Sequence, residues 1–166
     1  MTRDAGDAWK ASTRRLVAAA AQRGVVAHVR RFPAGTRTAA DAAAAIGCEV
    51  GAIVKSIVLT SGDGPLLVLT SGRNRVDYGK VAAALGVDGV DRADADLVRA
   101  ATGYAIGGTA PFGHPEALPT LVDRDLLAYD EVWAAAGTPD TVFPLARRQL
   151  LDATGAEVTD VAESAG

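Results

Sequence analysis

Two apolar runs, residues 53–60 and 66–70, constrain the fold more than any other feature of the sequence. They are separated by a spacer, Ser61-Gly62-Asp63-Gly64-Pro65, whose composition is typical of a turn between two strands. Strands that are buried on both faces have continuous apolar runs of this kind. The sequence therefore predicts a β-hairpin at the centre of a sheet, with other elements covering both faces.

The remaining segments supply both helices and strands. Apolar residues at helical spacing predict helices over residues 8–23, 38–46, 76–85, 93–101 and 145–153. Thr38 followed by Asp41 has the spacing of a helix-starting capping box, and Gly24, Gly47, Gly86, Gly103 and Gly155 stand where helices end. Short β-branched or apolar runs predict further strands at 25–29, 104–106, 118–122, 131–134 and 141–145, and residues 32–35 have the composition of a loop.

Helices and strands alternate irregularly, and at least one strand pair is antiparallel. We therefore predict an α/β (mixed α+β) fold, with a mixed, largely antiparallel sheet or partial barrel wrapped by helices. The chain has 166 residues, which suits one compact domain over residues 1–166, with a core over about 25–161. It contains no internal repeat and no linker long enough to separate two domains.

Charge and composition narrow the class of protein. The first 80 residues carry a net charge of +6 and the rest −9, which together give −3. This asymmetry can mark an interaction surface, although halves of a sequence need not be faces of a fold. A sequence pI near 5.3 disfavours a generic basic nucleic-acid binder. A single cysteine, Cys48, and the absence of any apolar run of about 18 residues or of a signal-like start predict a cytoplasmic protein that does not bind a membrane.

Common catalytic and metal-binding motifs are missing. The sequence has no G-x-S-x-G elbow, no P-loop and no G-x-G-x-x-G after a strand. The two histidines, His28 and His114, lack the spacing of a metal site, and one cysteine cannot form a cysteine-based zinc site. We expect no metal and no cofactor.

Lys55 interrupts the first apolar run of the hairpin. An uncompensated ammonium is costly to bury. Its side chain therefore either extends to the edge of the sheet or points into a polar cavity. The pattern alone leaves both possibilities open.

The segment from Gly107 to Gly113 (GGTAPFG) is the second unusual feature. Adjacent glycines allow the backbone to approach a ligand closely or to adopt positive φ. Exposed N–H groups at such a place can bind a carbonyl oxygen as it becomes an oxyanion. An ordinary tight loop is the alternative.

Together these segments resemble the YbaK and prolyl-tRNA-synthetase-associated domain family. The resemblance rests on Val54-Lys55-Ser56-Ile57, on Val81-Ala82-Ala83-Ala84-Leu85-Gly86, and on the segment from Thr102 to His114 (TGYAIGGTAPFGH), and it covers residues from about 25 to 161. It implies a hydrolase of mischarged aminoacyl-tRNA, often tRNA for proline. Prolyl-tRNA synthetase is a further partner that it suggests.

The resemblance also implies which residues form the site. Lys55, Gly107 and Gly108 correspond to the catalytic residues, with the lysine holding a phosphate or the terminal adenosine and the glycine backbone holding the oxyanion. Residues expected to contact the substrate are Thr109, Pro111, Phe112, Gly113, His114, Asp140, Arg73 and Arg75. For His114 a loop-capping role is the alternative, and Arg73, Arg75 and Lys80 also suit a solvated surface. The segment from Ala135 to Thr141 departs from the family's Gly-Gly-Lys-Arg-Gly-like sequence, which leaves the register of Asp140 and the amino acid removed open.

Three functions are compatible with these residues. The first is a trans-editing hydrolase that removes the amino acid from mischarged tRNA by water attack on the ester. The second is a non-catalytic module that binds aminoacyl-tRNA or a synthetase. The third is a hydrolase of another small acylated nucleotide.

Overall fold

The computed structural model describes residues 9–32 and 38–164. Its helices are α1 (Ala11–Gln22), α2 (Ala39–Ile46), α3 (Tyr78–Leu85), α4 (Ala95–Thr102) and α5 (Arg147–Thr154). Its strands are β1 (Arg30–Arg31), β2 (Val54–Ser61), β3 (Gly64–Ser71), β4 (Asp91–Arg92), β5 (Thr120–Asp123), β6 (Glu131–Ala135), β7 (Thr141–Ala146) and β8 (Glu157–Thr159). Short 3-10 turns occupy Val50–Ala52 and Arg124–Ala128.

The central hairpin is confirmed. Strands β2 and β3 pair antiparallel over their whole length, from Val54 opposite Ser71 to Ser61 opposite Gly64. Gly64 has φ +114°, a conformation that residues with a Cβ rarely adopt, which explains a glycine at the turn.

Two open sheets are built around this hairpin. The larger has the order β4-β2-β3-β5-β8, antiparallel on the β4 side of β3 and parallel from β3 to β8. The smaller sheet, β1-β7-β6, is antiparallel. A parallel bridge between Ile53 and Trp133 joins them. The predicted mixed sheet wrapped by helices is therefore confirmed.

Both faces of the larger sheet are covered, as the continuous apolar runs predicted. Successive side chains of a strand point to opposite faces. Val54 and Val58 of β2 pack into one cluster, together with Leu16 of α1 and Phe112. Leu59 of β2 packs into a second cluster, which includes Val81 of α3.

The predicted helix ends agree with the structure. Thr38 accepts a hydrogen bond from the Asp41 N–H, and the Asp41 carboxylate accepts one from the Thr38 N–H, which completes the capping box. Left-handed glycines end four of the helices: Gly47, Gly86, Gly103 and Gly155. Within the described ranges, none of the helices is both long and apolar enough to cross a bilayer.

Two predicted strands are wrong. Val25 is buried and Val26 is 73% exposed, as in a strand, but strand pairing begins only at Arg30. Residues 104–106 form a loop in which Tyr104 is fully buried. Residues with high strand propensity suit a half-buried sheet surface, but they form a strand only where a neighbouring strand pairs with them. The short strands β4 and β8 were not predicted, and most of the predicted loop at 32–35 lies outside the described residues.

Candidate active site

A cavity of about 290 Å³ lies where the two sheets approach each other. The first half of β2 forms one wall, and residues of α2, β6 and β7 form others. The 105–109 loop, meaning residues Ala105 to Thr109, contributes Ile106, Gly107 and Thr109. Lys55 and Arg92 are the charged residues on the described part of the wall, and both are cationic.

Lys55 lines this cavity and is half-buried. Its ammonium donates a hydrogen bond to the main-chain carbonyl of Asn74. Burial lowers the pKa of Lys55, the nearby positive charge of Arg75 lowers it further, and the negative charge of Asp123 acts in the opposite direction. The side chain of Lys55 shares the sheet face of Leu59 because the two positions are four residues apart in one strand.

The carbonyl that binds Lys55 belongs to the 71–75 turn, meaning residues Ser71 to Arg75. The Gly72 N–H donates to the Ile53 carbonyl at 2.7 Å, and the Asn74 N–H donates to the Ser71 carbonyl at 2.9 Å. The Ser71 hydroxyl donates to the Gly51 carbonyl at 2.7 Å. The turn is therefore tied to the segment that leads into β2.

Asp123 is a buried carboxylate at the end of β5, and the sequence analysis did not identify it. It accepts hydrogen bonds from the Ser71 N–H at 3.0 Å, the Asn74 side-chain amide at 2.8 Å and the Asp125 N–H at 2.9 Å. An acidic residue directly after an apolar strand was the signal in the sequence that could have revealed it.

The 105–109 loop offers unused backbone donors. Across the part of the chain that the structure describes, nothing accepts a hydrogen bond from the N–H of Gly107 or of Thr109. Gly107 has φ +88°, and the Thr109 hydroxyl donates to the Ala105 carbonyl at 3.2 Å. Both residues line the cavity.

Gly108 differs from its two neighbours. Its N–H donates to the Ala105 carbonyl at 3.0 Å, and the residue is buried. A Cβ on Gly108 would lie 2.7 Å from the Cα of Thr138, closer than packed atoms approach. The glycine at this position is therefore explained by close packing of two backbone segments.

Residues 111–114 continue the loop away from the cavity wall. Pro111 is buried, and Phe112 belongs to the core, where its ring meets that of Phe143 edge to face. Gly113 has φ +83°, and a Cβ there would lie 2.8 Å from the Tyr104 hydroxyl. These three residues pack the loop against the core.

His114 closes this loop through its ring. Because a carbonyl can only accept, the neutral ring must carry its proton on Nε2, which donates to the Ala110 carbonyl at 2.9 Å. Burial lowers the pKa of His114, and this hydrogen bond opposes part of that effect. The ring also meets Tyr104 edge to face.

The other predicted substrate contacts, Asp140, Arg73 and Arg75, are not on the cavity wall. Asp140 is exposed, accepts a hydrogen bond from the Thr138 hydroxyl at 2.7 Å and lies 3.6 Å from the Arg31 guanidinium. Arg73 lines a separate groove, which also contains Lys80. Arg75 is exposed and acts on Lys55 through its charge. Of the predicted residues, Lys55, Gly107 and Thr109 line the same cavity.

Ser56 is a further polar residue on this wall that the sequence analysis did not select. Its hydroxyl is buried and has no partner among the described residues. Lys55, Arg92 and the free N–H groups of Gly107 and Thr109 thus line one mainly apolar cavity, while the enclosed Ser56 hydroxyl points to the face of β2 opposite that of Lys55. Groups of these kinds suit a ligand with an anionic part and a polar, carbonyl-like part.

Comparisons with known proteins identify the family. A family model described as an aminoacyl-tRNA editing domain matches residues 33–153. The chain belongs to this family, and the resemblance seen in the sequence is confirmed. A curated relative from Enterococcus faecalis, named "Putative Cys-tRNA(Pro)/Cys-tRNA(Cys) deacylase EbsC", is 27% identical over 125 residues, which cover 75% of this chain and 76% of that protein.

Solved structures agree with this assignment. A crystal structure of "a putative trans-editing enzyme for prolyl tRNA synthetase" is 46% identical, with a TM-score of 0.90, and the match covers 94% of this chain and 99% of that one. The crystal structure of "hypothetical protein APE2540" is 31% identical, with a TM-score of 0.81, and covers 90% of this chain and 99% of that one.

Proposed function

We propose that this protein is a trans-editing hydrolase that removes the amino acid from mischarged tRNA of the tRNA-Pro type. The observation that carries the proposal is the pair of unpaired N–H groups, of Gly107 and Thr109, on the same cavity as Lys55. Thr109 is buried, and buried N–H groups are nearly always paired, so its free N–H on a cavity wall, beside the N–H of the exposed Gly107, suits an oxygen of the ligand.

The chemistry needs no protein nucleophile, because an aminoacyl ester is already activated. Water attacks the ester carbonyl carbon, assisted by the free hydroxyl of the terminal ribose, and a C–O bond to the water oxygen forms. The bond from the carbonyl carbon to the ribose oxygen then breaks, and that oxygen takes a proton. The products are a free amino acid and tRNA with an intact terminal ribose.

The Gly107 and Thr109 N–H groups would stabilise the oxyanion that forms on the carbonyl oxygen. Gly108 would act indirectly, because its own N–H already donates to the Ala105 carbonyl. Its close packing against Thr138 would hold the loop in place. Within the glycine pair, Gly107 would therefore contact the oxyanion and Gly108 would position the loop.

Lys55 would hold a phosphate or the terminal adenosine. Lysine suits a point-charge contact with phosphate, and Arg92 would add a second cation on the same wall. The Lys55 ammonium would then either keep its hydrogen bond to Asn74 or exchange it for the ligand, since an ammonium has three donors.

The wall also limits the amino acid part of the substrate. None of the described residues on it is Asp or Glu, and its cationic groups are Lys55 and Arg92. At about 290 Å³ it is at the lower end of the size of ligand pockets. We propose an uncharged, small amino acid, and the name of the Enterococcus relative makes Cys-tRNA(Pro) one candidate to test.

The proposal extends to partners and place of action. Aminoacyl-tRNA is the substrate, and the description of the 46% identical structure suggests prolyl-tRNA synthetase as a partner. The protein would act in the cytoplasm, where aminoacyl-tRNA is used, with no metal or cofactor.

A panel of charged tRNAs tests the proposal. Ala-, Cys- and Ser-tRNA(Pro) are incubated with the protein, with Pro-tRNA(Pro) as the correctly charged control, and released amino acid is measured. We expect rapid hydrolysis of at least one mischarged species and little hydrolysis of Pro-tRNA(Pro). Lys55→Ala should weaken tRNA binding and slow hydrolysis together, because a charge that positions phosphate contributes to affinity and to geometry.

The same panel separates the alternatives. Tight binding of aminoacyl-tRNA without hydrolysis would indicate a non-catalytic binding module. Hydrolysis of aminoacyl-adenosine as fast as that of the full tRNA would indicate a hydrolase of small acylated nucleotides. Either result would contradict trans-editing.

A further inference from the structure

We propose that Asp123 and Asn74 are positioning residues for Lys55. The buried Asp123 carboxylate holds the Asn74 side chain, and the main-chain carbonyl of Asn74 in turn holds the Lys55 ammonium. The part of this inference that concerns activity rests on the proposed function, while the part that concerns the state of Lys55 does not.

The burial of Asp123 is the first argument. A buried carboxylate is costly unless it is hydrogen-bonded and balanced by a nearby positive charge. Asp123 is fully buried and accepts from three N–H groups, two of which belong to Ser71 and Asn74 in the 71–75 turn. A neutral residue could close a turn at lower cost. The negative charge of Asp123 is explained if it stabilises a nearby cation, and Lys55 is the cation whose pKa Asp123 raises.

The orientation of Asn74 is the second argument. Its side-chain nitrogen lies 2.8 Å from a carboxylate oxygen of Asp123 and 2.8 Å from one of Asp125. Two carboxylates can only accept, so the amide must present its NH₂ group to both. The side chain is thereby fixed, and the main-chain carbonyl of the same residue is presented to Lys55.

The surroundings of Lys55 show why positioning matters. No salt bridge within the described residues joins Lys55 to Asp123, so the carboxylate acts at a distance and through Asn74. The ionisable groups around this arrangement are Arg75, Asp123 and Asp125, with Arg73 and Tyr129 packed over Gly51 beside the turn. Burial and Arg75 disfavour the ammonium, and Asp123 is the group that supports it.

The test is an NMR titration of the lysine ε-methylene groups in the full-length protein. The chain has three lysines, Lys10, Lys55 and Lys80, so their signals can be assigned by single Lys→Arg variants. In Asp123→Asn the midpoint of Lys55 should move to lower pH, because the variant keeps the shape and removes the supporting charge. The exposed Lys10 serves as internal reference.

Asp125→Asn is the matched control. Asp125 accepts from the same Asn74 amide at the same 2.8 Å, but it is exposed, so solvent screens its charge. We expect a smaller shift of the Lys55 midpoint in this variant than in Asp123→Asn. An unchanged or raised Lys55 midpoint in Asp123→Asn would overturn the proposal, as would equal shifts in the two variants.

Asn74→Ala keeps the test decisive if Asp123→Asn does not fold. Removing the amide breaks the link through which Asp123 acts on Lys55 and releases the carbonyl that accepts from the ammonium, so the Lys55 midpoint should move to lower pH. This shift has the same sign as the one expected for Asp123→Asn, whereas general loosening would hydrate Lys55 and move its midpoint to higher pH. An unchanged or raised Lys55 midpoint in Asn74→Ala would contradict the role of Asn74.

The activity arm uses single-turnover deacylation of the best substrate of the panel. Asp123→Asn should lower the rate by about tenfold, as expected for a buried hydrogen bond to a charged group, with the loss increasing as pH rises. Asp125→Asn, which removes an exposed acceptor of the Asn74 amide and no buried charge, should lower the rate less than Asp123→Asn does. If the wild type hydrolyses no ester, the proposed function fails, and the lysine titration still decides the present inference.

Discussion

The 71–75 turn and the 105–109 loop both approach the cavity, and they differ in how fully their polar groups are paired. In the turn, Ser71, Gly72 and Asn74 all donate their N–H groups, and the Asn74 carbonyl accepts from Lys55. In the loop, no described residue accepts from the N–H of Gly107 or Thr109. The paired region is suited to hold a side chain in place, and the unpaired region is suited to bind a ligand.

This difference also separates two uses of glycine. Gly72 and Gly108 are required for packing, since a Cβ would lie 2.4 Å from the Val50 carbonyl oxygen or 2.7 Å from the Thr138 Cα. Gly107 has only ordinary contacts at 3.6 Å with Pro139, but it has a positive φ. Its glycine character sets the direction of the backbone, and therefore the direction of the N–H groups.

The largest expected effect comes from Gly107→Ala. A methyl group at φ +88° strains the backbone and turns the N–H groups of the loop away from the cavity. Single-turnover deacylation should fall by about 10²-fold, the usual effect of losing one oxyanion donor. Gly86→Ala is the control, because Gly86 has φ +69° and nothing within 4 Å of a Cβ, at the end of α3. Equal deacylation rates in the two variants would remove the oxyanion role from the loop.

The next effect concerns stability and belongs to the turn. Asp123→Ala removes the acceptor of one buried and two partly buried N–H groups, so the free energy of unfolding should fall by about 3 kcal/mol in urea denaturation. Asp125→Ala, on an exposed residue, should change it by less than about 0.5 kcal/mol. Similar losses for both variants would show that the turn does not depend on the buried carboxylate.

The smallest effect is the response to acid of His114, whose ring closes the chain that follows the 105–109 loop. Burial lowers the pKa of His114 in the folded protein, so the unfolded chain binds this proton more readily. The stability that depends on the neutral ring is complete above the unfolded pKa of about 6.5 and is lost as pH falls below it. Urea denaturation at pH 7.5 and 5.5 should therefore show a smaller loss for His114→Gln than for the wild type. Identical losses would contradict a buried neutral ring.

Local features of the fold could be predicted from the sequence. The hairpin, the Thr38 capping box and the helix-ending glycines follow from spacing and from backbone preferences that act over a few residues. Two strands were predicted wrongly, at 25–29 and 104–106, because a strand also needs a partner that the local sequence does not specify. The family resemblance pointed to Lys55 and the glycine-rich segment; Lys55, Gly107 and Thr109 line the cavity, and the other residues of the segment do not.

Only the tertiary structure decided how these residues are used. Asn74 is 19 residues from Lys55, and Asp123 is 52 residues from Ser71, so nothing local connects them. The contact of Gly108 with Thr138, 30 residues later in the chain, is likewise not specified by the local sequence. Sequence determines which donors, acceptors and charges the chain contains. Folding determines which of them lose water and which find a partner, and those two outcomes set their chemistry.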